Sequence, residues 1–122
     1  MKFIQRKEEF YARLQKLMDK KKVYTLHGLN RKALADMLST NEKYLHDLIK
    51  EYTGLTCAEY IISLRLDHAC RLLDDENNYL TVDEIADNSG FSSRKTFYRQ
   101  FGKHYNISPA QYRKKRELQR NS

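Results

Sequence analysis

The chain has 122 residues, 40% hydrophobic and 32% charged, enough for one compact domain or two very small ones with a real core. Its longest stretch without Asp, Glu, Lys or Arg is the nine residues from His104 to Tyr112, which excludes a membrane-spanning helix, and Met1-Lys2-Phe3 opens no signal-peptide apolar region. Two cysteines, Cys57 and Cys70, form no disulfide framework and suit a reducing, cytoplasmic setting.

Four glycines and one proline leave few chain breakers, so the expected fold class is all-α. The 23 basic and 16 acidic residues are unevenly placed. Leu72 to Ser93 holds six acids and no Lys or Arg, whereas Arg94 to Arg116 holds eight basic residues and no acid. Such separation fits a face that meets a polyanion, and it also fits a basic face kept for solubility.

In chain order, Phe10, Leu14, Leu17 and Met18 make the apolar stripe of an amphipathic helix, which Lys20-Lys21-Lys22 closes. After a short apolar loop broken at Gly28, Asn30 caps a helix through Leu38, with Ala33, Leu34 and Met37 inward. Ser39-Thr40-Asn41 is a tight turn, and Asn41 caps a helix to Tyr52 that buries Leu45, Leu48, Ile49 and Tyr52. Gly54 ends it. Thr56 and Glu59 form a capping box for a long helix to about Leu73, apolar along Ile61/Leu64/Leu72 and along Ile62/Leu66/Ala69/Leu73. A helix apolar on two sides joins two small cores. Thr81 and Glu84 open a helix to Ser89, Gly90 turns the chain, and a basic helix spans about Ser92 to His104. Ser108, Pro109 and Gln111 start the last helix.

The second half restates the first. Leu29, Ala35 and Asp36 match Leu80, Ala86 and Asp87 at an offset of 51. At an offset of 52, Leu45 meets Phe97, Ile49 meets Phe101, Thr56 meets Ser108 and Tyr60 meets Tyr112. Helix, turn, helix, break and capped helix therefore occur twice, as two helical subdomains. Each has the marks of a helix-turn-helix: Ala35 or Ala86 where two helices approach, then Gly90, or Ser39 as a weaker equivalent, for a turn of positive φ.

With Phe97 and Phe101 inward, Ser92, Ser93, Arg94, Lys95, Thr96, Tyr98, Arg99 and Lys103 line the outer face of the second copy or its flanks. Arg bridges guanine O6 and N7, Thr touches a thymine methyl, and Lys, Ser and Tyr anchor phosphates. In the first copy the corresponding residues are Asn41, Glu42, Lys43, Tyr44, His46 and Asp47, with Lys43 and His46 the better contacts. Carboxylates here cost affinity unless they accept from cytosine N4 or orient a neighbouring cation. Arg113-Lys114-Lys115-Arg116 adds phosphate contacts or is a solvated tail.

These residues resemble the DNA-binding domain of the AraC/XylS family of bacterial transcription regulators. The likeness is carried by Leu34-Ala35-Asp36, Tyr44-Leu45, Gly54, Tyr60-Ile61 and Leu64-Arg65-Leu66. It is strongest in Leu80-Thr81-Val82-Asp83-Glu84-Ile85-Ala86, Gly90-Phe91-Ser92-Ser93 and Thr96-Phe97-Tyr98-Arg99, and Ser108-Pro109 with Tyr112-Arg113 completes it. The resemblance implies a seven-helix domain of two helix-turn-helix units joined by a long central helix. It assigns residues 1–22 to an amphipathic lead-in, 23–116 to the DNA-binding domain and 117–122 to a tail. Within the domain, the first helix-turn-helix covers about 30–52, the linker helix 56–73, the second helix-turn-helix 81–104 and the final helix 108–116. Recognition helices at about 41–52 and 92–103 would enter successive major grooves, with half-sites about 10 bp apart. The implied partners are a double-stranded DNA operator, with RNA polymerase and an N-terminal sensor or dimerisation domain outside this chain as further candidates. Three positions depart from the family pattern: Ser39 for a frequent glycine, Asp47 for a common basic residue, and Gly102 for a usual Lys or Arg.

No catalytic pattern is present. The four histidines show no H-E-x-x-H, and His68 and Cys70, two apart on a helix, point to different faces, which argues against zinc. There is no G-x-x-x-x-G-K, G-x-G-x-x-G or G-x-S-x-G. Neither an enzyme nor a cofactor or metal is expected, and Cys57 and Cys70 are read as small core residues. The rival reading is a helical protein-interaction module whose basic face meets an acidic partner.

Overall fold

The computed structural model describes residues 2–121, with side chains from Arg6 onward, so the side chains of Phe3 and Ile4 in the expected lead-in helix lie outside the described residues. Seven α-helices and one 3-10 turn are found among the described residues, with no strand: α1 (Lys2–Asp19), the turn Val23–Thr25, α2 (Arg31–Met37), α3 (Glu42–Thr53), α4 (Cys57–Asp74), α5 (Val82–Asn88), α6 (Arg94–Tyr105) and α7 (Pro109–Arg120). No helix among them is long and apolar enough to cross a membrane.

The helix starts follow from local chemistry. The Asn30 and Asn41 side chains accept from the backbone N–H of Ala33 and Tyr44, each at 2.8 Å. Thr56/Glu59, Thr81/Glu84 and Ser108/Gln111 each form the reciprocal pair of bonds of a capping box. The basic helix starts at Arg94, not Ser92, because Ser93 takes an extended conformation and its hydroxyl accepts from Thr96 N.

The chain divides into two compact units, Met1–Ile61 and Ile62–Ser122. In the first, α1 buries Leu14 and Met18, α2 buries Leu34 and Ala35, α3 buries Leu45, Leu48 and Ile49, and the start of α4 buries Cys57, Tyr60 and Ile61. Two expected core residues stay out. Met37 is 43% exposed because the chain turns just after it and Leu38 takes the inward place at 3%. Tyr52 is 40% exposed, its ring stacked on Tyr11 with centroids 4.1 Å apart.

In the second unit Leu66, Ala69 and Leu73 of α4 form one core with Ile85, Ala86, Phe91, Phe97 and Phe101. Burial of this size, at about 1.5–3 kcal/mol for each large side chain, is the main stabilising term. The helix expected to end near residue 116 continues to Arg120. Arg116 Nε donates to Asp74 Oδ1 at 2.7 Å and Arg120 Nη1 donates to the Asp74 carbonyl at 2.8 Å, which ties down the last turns.

The two turns are built alike. Ser39 N donates to Asp36 O and Thr40 N to Ala35 O, at 3.1 and 3.0 Å; Gly90 N donates to Asp87 O and Phe91 N to Ala86 O, at 3.2 and 3.1 Å. This paired 5→2 and 6→1 closure is a Schellman motif, and it needs a left-handed residue at its bend. Gly90 supplies φ 103° and Ser39 supplies φ 54°, so the serine carries the conformation that its sequence position predicts.

Candidate nucleic-acid interface

In each unit a short helix packs on a longer one across that turn, α2 on α3 and α5 on α6. On α6, Phe97 and Phe101 are fully buried, which leaves the opposite face to solvent. Ser92, Ser93, Arg94, Lys95, Tyr98, Arg99 and Lys103 are exposed, and Thr96 is half-buried. Lys95, Arg99 and Lys103 recur every four residues and form one cationic stripe. Ser93 has a structural duty as the N-cap, which occupies its hydroxyl as an acceptor.

Arg94 is not a free cation. Its Nη2 donates to Asp87 Oδ2 at 3.4 Å and its Nη1 lies 3.5 Å from Asp83 Oδ2. The Tyr98 hydroxyl donates to Asp83 Oδ1 at 2.8 Å. Accepting this bond, Asp83 is the largest cause holding the Tyr98 hydroxyl above its ordinary range, with burial adding to it. Acids that the sequence separates from the basic tract are thus folded against its first turns. Spacing held the signal: Asp83 and Asp87 are i, i+4 on α5, as Arg94 and Tyr98 are on α6. These pairs are exposed and each contributes about 0–1 kcal/mol to stability.

The first unit also joins its two helices by an ion pair, but from a different position, since Arg31 is the repeat counterpart of Val82. Arg31 at the start of α2 pairs with Glu42 of α3 at 3.2 Å, and Glu42 is the repeat counterpart of Arg94. Lys43 pairs with Asp47 at 3.2 Å on the α3 surface, so its charge is shared. Tyr44 is half-buried, its ring edge-on to Phe10 at 5.2 Å, which turns it toward α1 and not outward. Asn41 is exposed and caps α3, and His46 is half-exposed.

The run at residues 113–116 separates in the same way. Arg113 Nη1 donates to the Leu80 carbonyl at 2.7 Å from a part-buried position, and Arg116 holds Asp74. Among the described residues of this run, Lys114 and Lys115 alone have no hydrogen bond or ion pair, so of the four read as phosphate contacts or a solvated tail, two are left free for either. The cysteines are free, one in each unit, and burial is the largest cause raising each thiol above its ordinary value. No cluster of three or more potential metal ligands occurs among the described residues.

Two units of this build define a helix-turn-helix protein. A family model described as "Helix-turn-helix domain" matches residues 34–115. The Melibiose operon regulatory protein of Escherichia coli (strain K12) is 35% identical over 81 residues, which is 66% of this chain and 26% of that protein. Probable transcription factor PqrA of Proteus vulgaris is 33% identical over 86 residues, 70% of this chain and 69% of that protein. In fold, the DNA-binding domain of AdpA, a global transcriptional factor solved in complex with a target DNA, matches with a TM-score of 0.76 at 24% identity, over 95% of this chain and 96% of that one. The chain belongs to the AraC-type helix-turn-helix family, whose members named above are transcription regulators. It spans about a quarter of the length of the melibiose regulator.

Proposed function

We propose that this chain binds double-stranded DNA sequence-specifically, as the output domain of a bacterial transcription regulator working in the cytoplasm, with α3 and α6 as recognition helices. The observation that carries the reading is α6 itself. One face is locked into the core by Phe97 and Phe101, and the other offers Arg94, Lys95, Arg99 and Lys103 with no acid on the helix. Arg94 and Arg99 are assigned to base edges, and Lys95, Lys103 and Ser92 to phosphates. Asn41 and His46 carry the contacts of α3, which is the weaker reader because Tyr44 turns inward and Asp47 holds Lys43. The twofold repeat in the sequence supports a two-part operator. RNA polymerase and a sensor or dimerisation domain outside this chain are the further partners of such a regulator.

The test is retention of sequences from a random pool of about 30-bp duplexes near 100 mM salt, with a salt titration. Two short motifs about one helical turn apart are expected, with affinity falling steeply with salt as roughly 6–10 counterions are released. Replacing Arg94 or Arg99 by Ala should cost about 1–3 kcal/mol and relax specificity at one position. Equal losses on matched and scrambled duplexes would remove the base-reading assignment.

A second reading has one observation behind it. Arg13, Lys16, Lys20 and Lys21 rim a groove floored by Leu17, Met37 and Leu38 in the first unit. That chemistry suits an acidic protein segment with an apolar side chain. No DNA retention even near 50 mM salt would favour it.

A further inference from the structure

The sequence treats Tyr98 as one of several phosphate anchors. Its geometry assigns it otherwise. A tyrosine has one O–H to donate, and that of Tyr98 goes to Asp83 at 2.8 Å. Phosphate oxygens only accept, so in this arrangement Tyr98 has nothing to give them. What it presents outward, from a side chain 42% exposed on the recognition face, is a lone pair. In the major groove the groups that donate to a lone pair are the amines, cytosine N4 and adenine N6.

Arg94, one turn away on the same face, has the opposite polarity. Its Nη2 donates to Asp87 and its Nη1 lies 3.5 Å from Asp83, so even with one N–H of each Nη engaged three of the five donors are left. Two are enough for a guanine edge.

We propose that Asp83 is a positioning residue for DNA recognition: by accepting the Tyr98 hydroxyl hydrogen bond and pairing with Arg94, it makes Tyr98 an acceptor-only reader of a base amine beside an Arg94 that only donates. The proposal rests on α6 being a recognition helix. Asp83 spends a negative charge near a polyanion, and what it obtains is direction: two side chains one turn apart hold opposite, fixed hydrogen-bonding senses. Freed of Asp83, Tyr98 rotates and donates to whichever phosphate is near, and Arg94 keeps only Asp87.

The experiment compares the wild-type chain with Tyr98→Phe, Asp83→Ala and Asp83→Asn on duplexes enriched by the wild type, varied one base pair at a time. Tyr98→Phe keeps the ring that lies 5.6 Å from Phe97, so folding is preserved, and urea melts check the Asp83 variants. Tyr98→Phe should lower the preference for an amine-bearing base at one position by about 2- to 12-fold, the worth of one hydrogen bond, and leave the salt slope unchanged. Asp83→Ala should weaken the preference at that same position while binding scrambled duplex as well as the wild type or better. Asp83→Asn, which keeps an acceptor oxygen for Tyr98, should retain more of the preference than Asp83→Ala. If Tyr98→Phe weakens every sequence alike, or Asp83→Ala leaves the preference intact, the proposal is overturned while the wild type still reads DNA. If the wild type shows no preference at all, the duplex reading itself fails, and this proposal with it.

Discussion

Ser39→Gly should stabilise the first unit. Ser39 sits at the bend of a Schellman turn with φ 54°, where Gly90 serves in the second unit. Holding an L-residue with a Cβ in the left-handed region costs about 1–2 kcal/mol. Glycine removes that strain and returns about 0.5–1 kcal/mol through the greater freedom of its unfolded chain. The Ser39 side chain is exposed, so no packing is lost, and the backbone bonds from Ser39 N and Thr40 N do not depend on residue type. The net expectation is a gain of about 0.5–1 kcal/mol, or about 2–8 °C in the melting of a unit of this size. The reverse change, Gly90→Ser, meets a φ of 103°, farther from the left-handed minimum, and should lose at least about 1–2 kcal/mol. Urea unfolding followed by helical circular dichroism measures both, and a rise in midpoint with unchanged slope identifies a stability effect. A midpoint for Ser39→Gly at or below the wild type would refute the strain argument.

Three further expectations follow from the same contacts. Gly102 lies inside α6 and an added Cβ meets nothing within 4 Å, so Gly102→Ala should raise stability by about 0.8–1 kcal/mol in the same urea assay. Arg113→Met strips a part-buried donor from the Leu80 carbonyl and should cost about 1–3 kcal/mol of stability without changing the salt slope of DNA binding, whereas Lys114→Ala and Lys115→Ala should do the reverse. Burial chiefly, with Cys70 and Asp74 adding to it, pushes the Tyr112 hydroxyl from 10.0 up to about 12. The fold therefore favours the neutral phenol, so its contribution is complete below pH 10.0 and is lost as pH rises toward about 12. Alkaline titration of the urea midpoint should fall over that window, and less so in Tyr112→Phe; an equal fall in that variant would assign the loss to other groups.

Most of the helix framework was legible because it is local. An N-cap is settled within four residues, so Asn30, Asn41, Thr56, Thr81 and Ser108 could be read from their own neighbours, and all five cap as read. The buried pair Phe97 and Phe101 and the bend residues Ser39 and Gly90 were likewise available, one from periodicity and the other from the repeat. Some slips were local, as where Leu38 took the inward place expected of Met37; others were decided by residues far along the chain, since Tyr52 stays exposed and stacked on Tyr11 and α7 runs past residue 116 because Asp74 holds Arg116 and Arg120.

The candidate interface divides along the same line. Periodicity told which residues of α6 face away from the core, because a helix of 3.6 residues per turn sorts its side chains whatever it packs against. It could not tell what those residues meet. Arg94 and Tyr98 are engaged by Asp83 and Asp87, Tyr44 leans on Phe10, and Arg113 reaches the Leu80 carbonyl across 33 residues of chain. Sequence determined the helices, their caps, the repeated turn and the face that carries the basic residues, all products of short-range chemistry. Which of those charges remain to meet a polyanion was decided only when α5 packed on α6 and α7 returned to Asp74, since an ion pair depends on distance in space and not on separation along the chain.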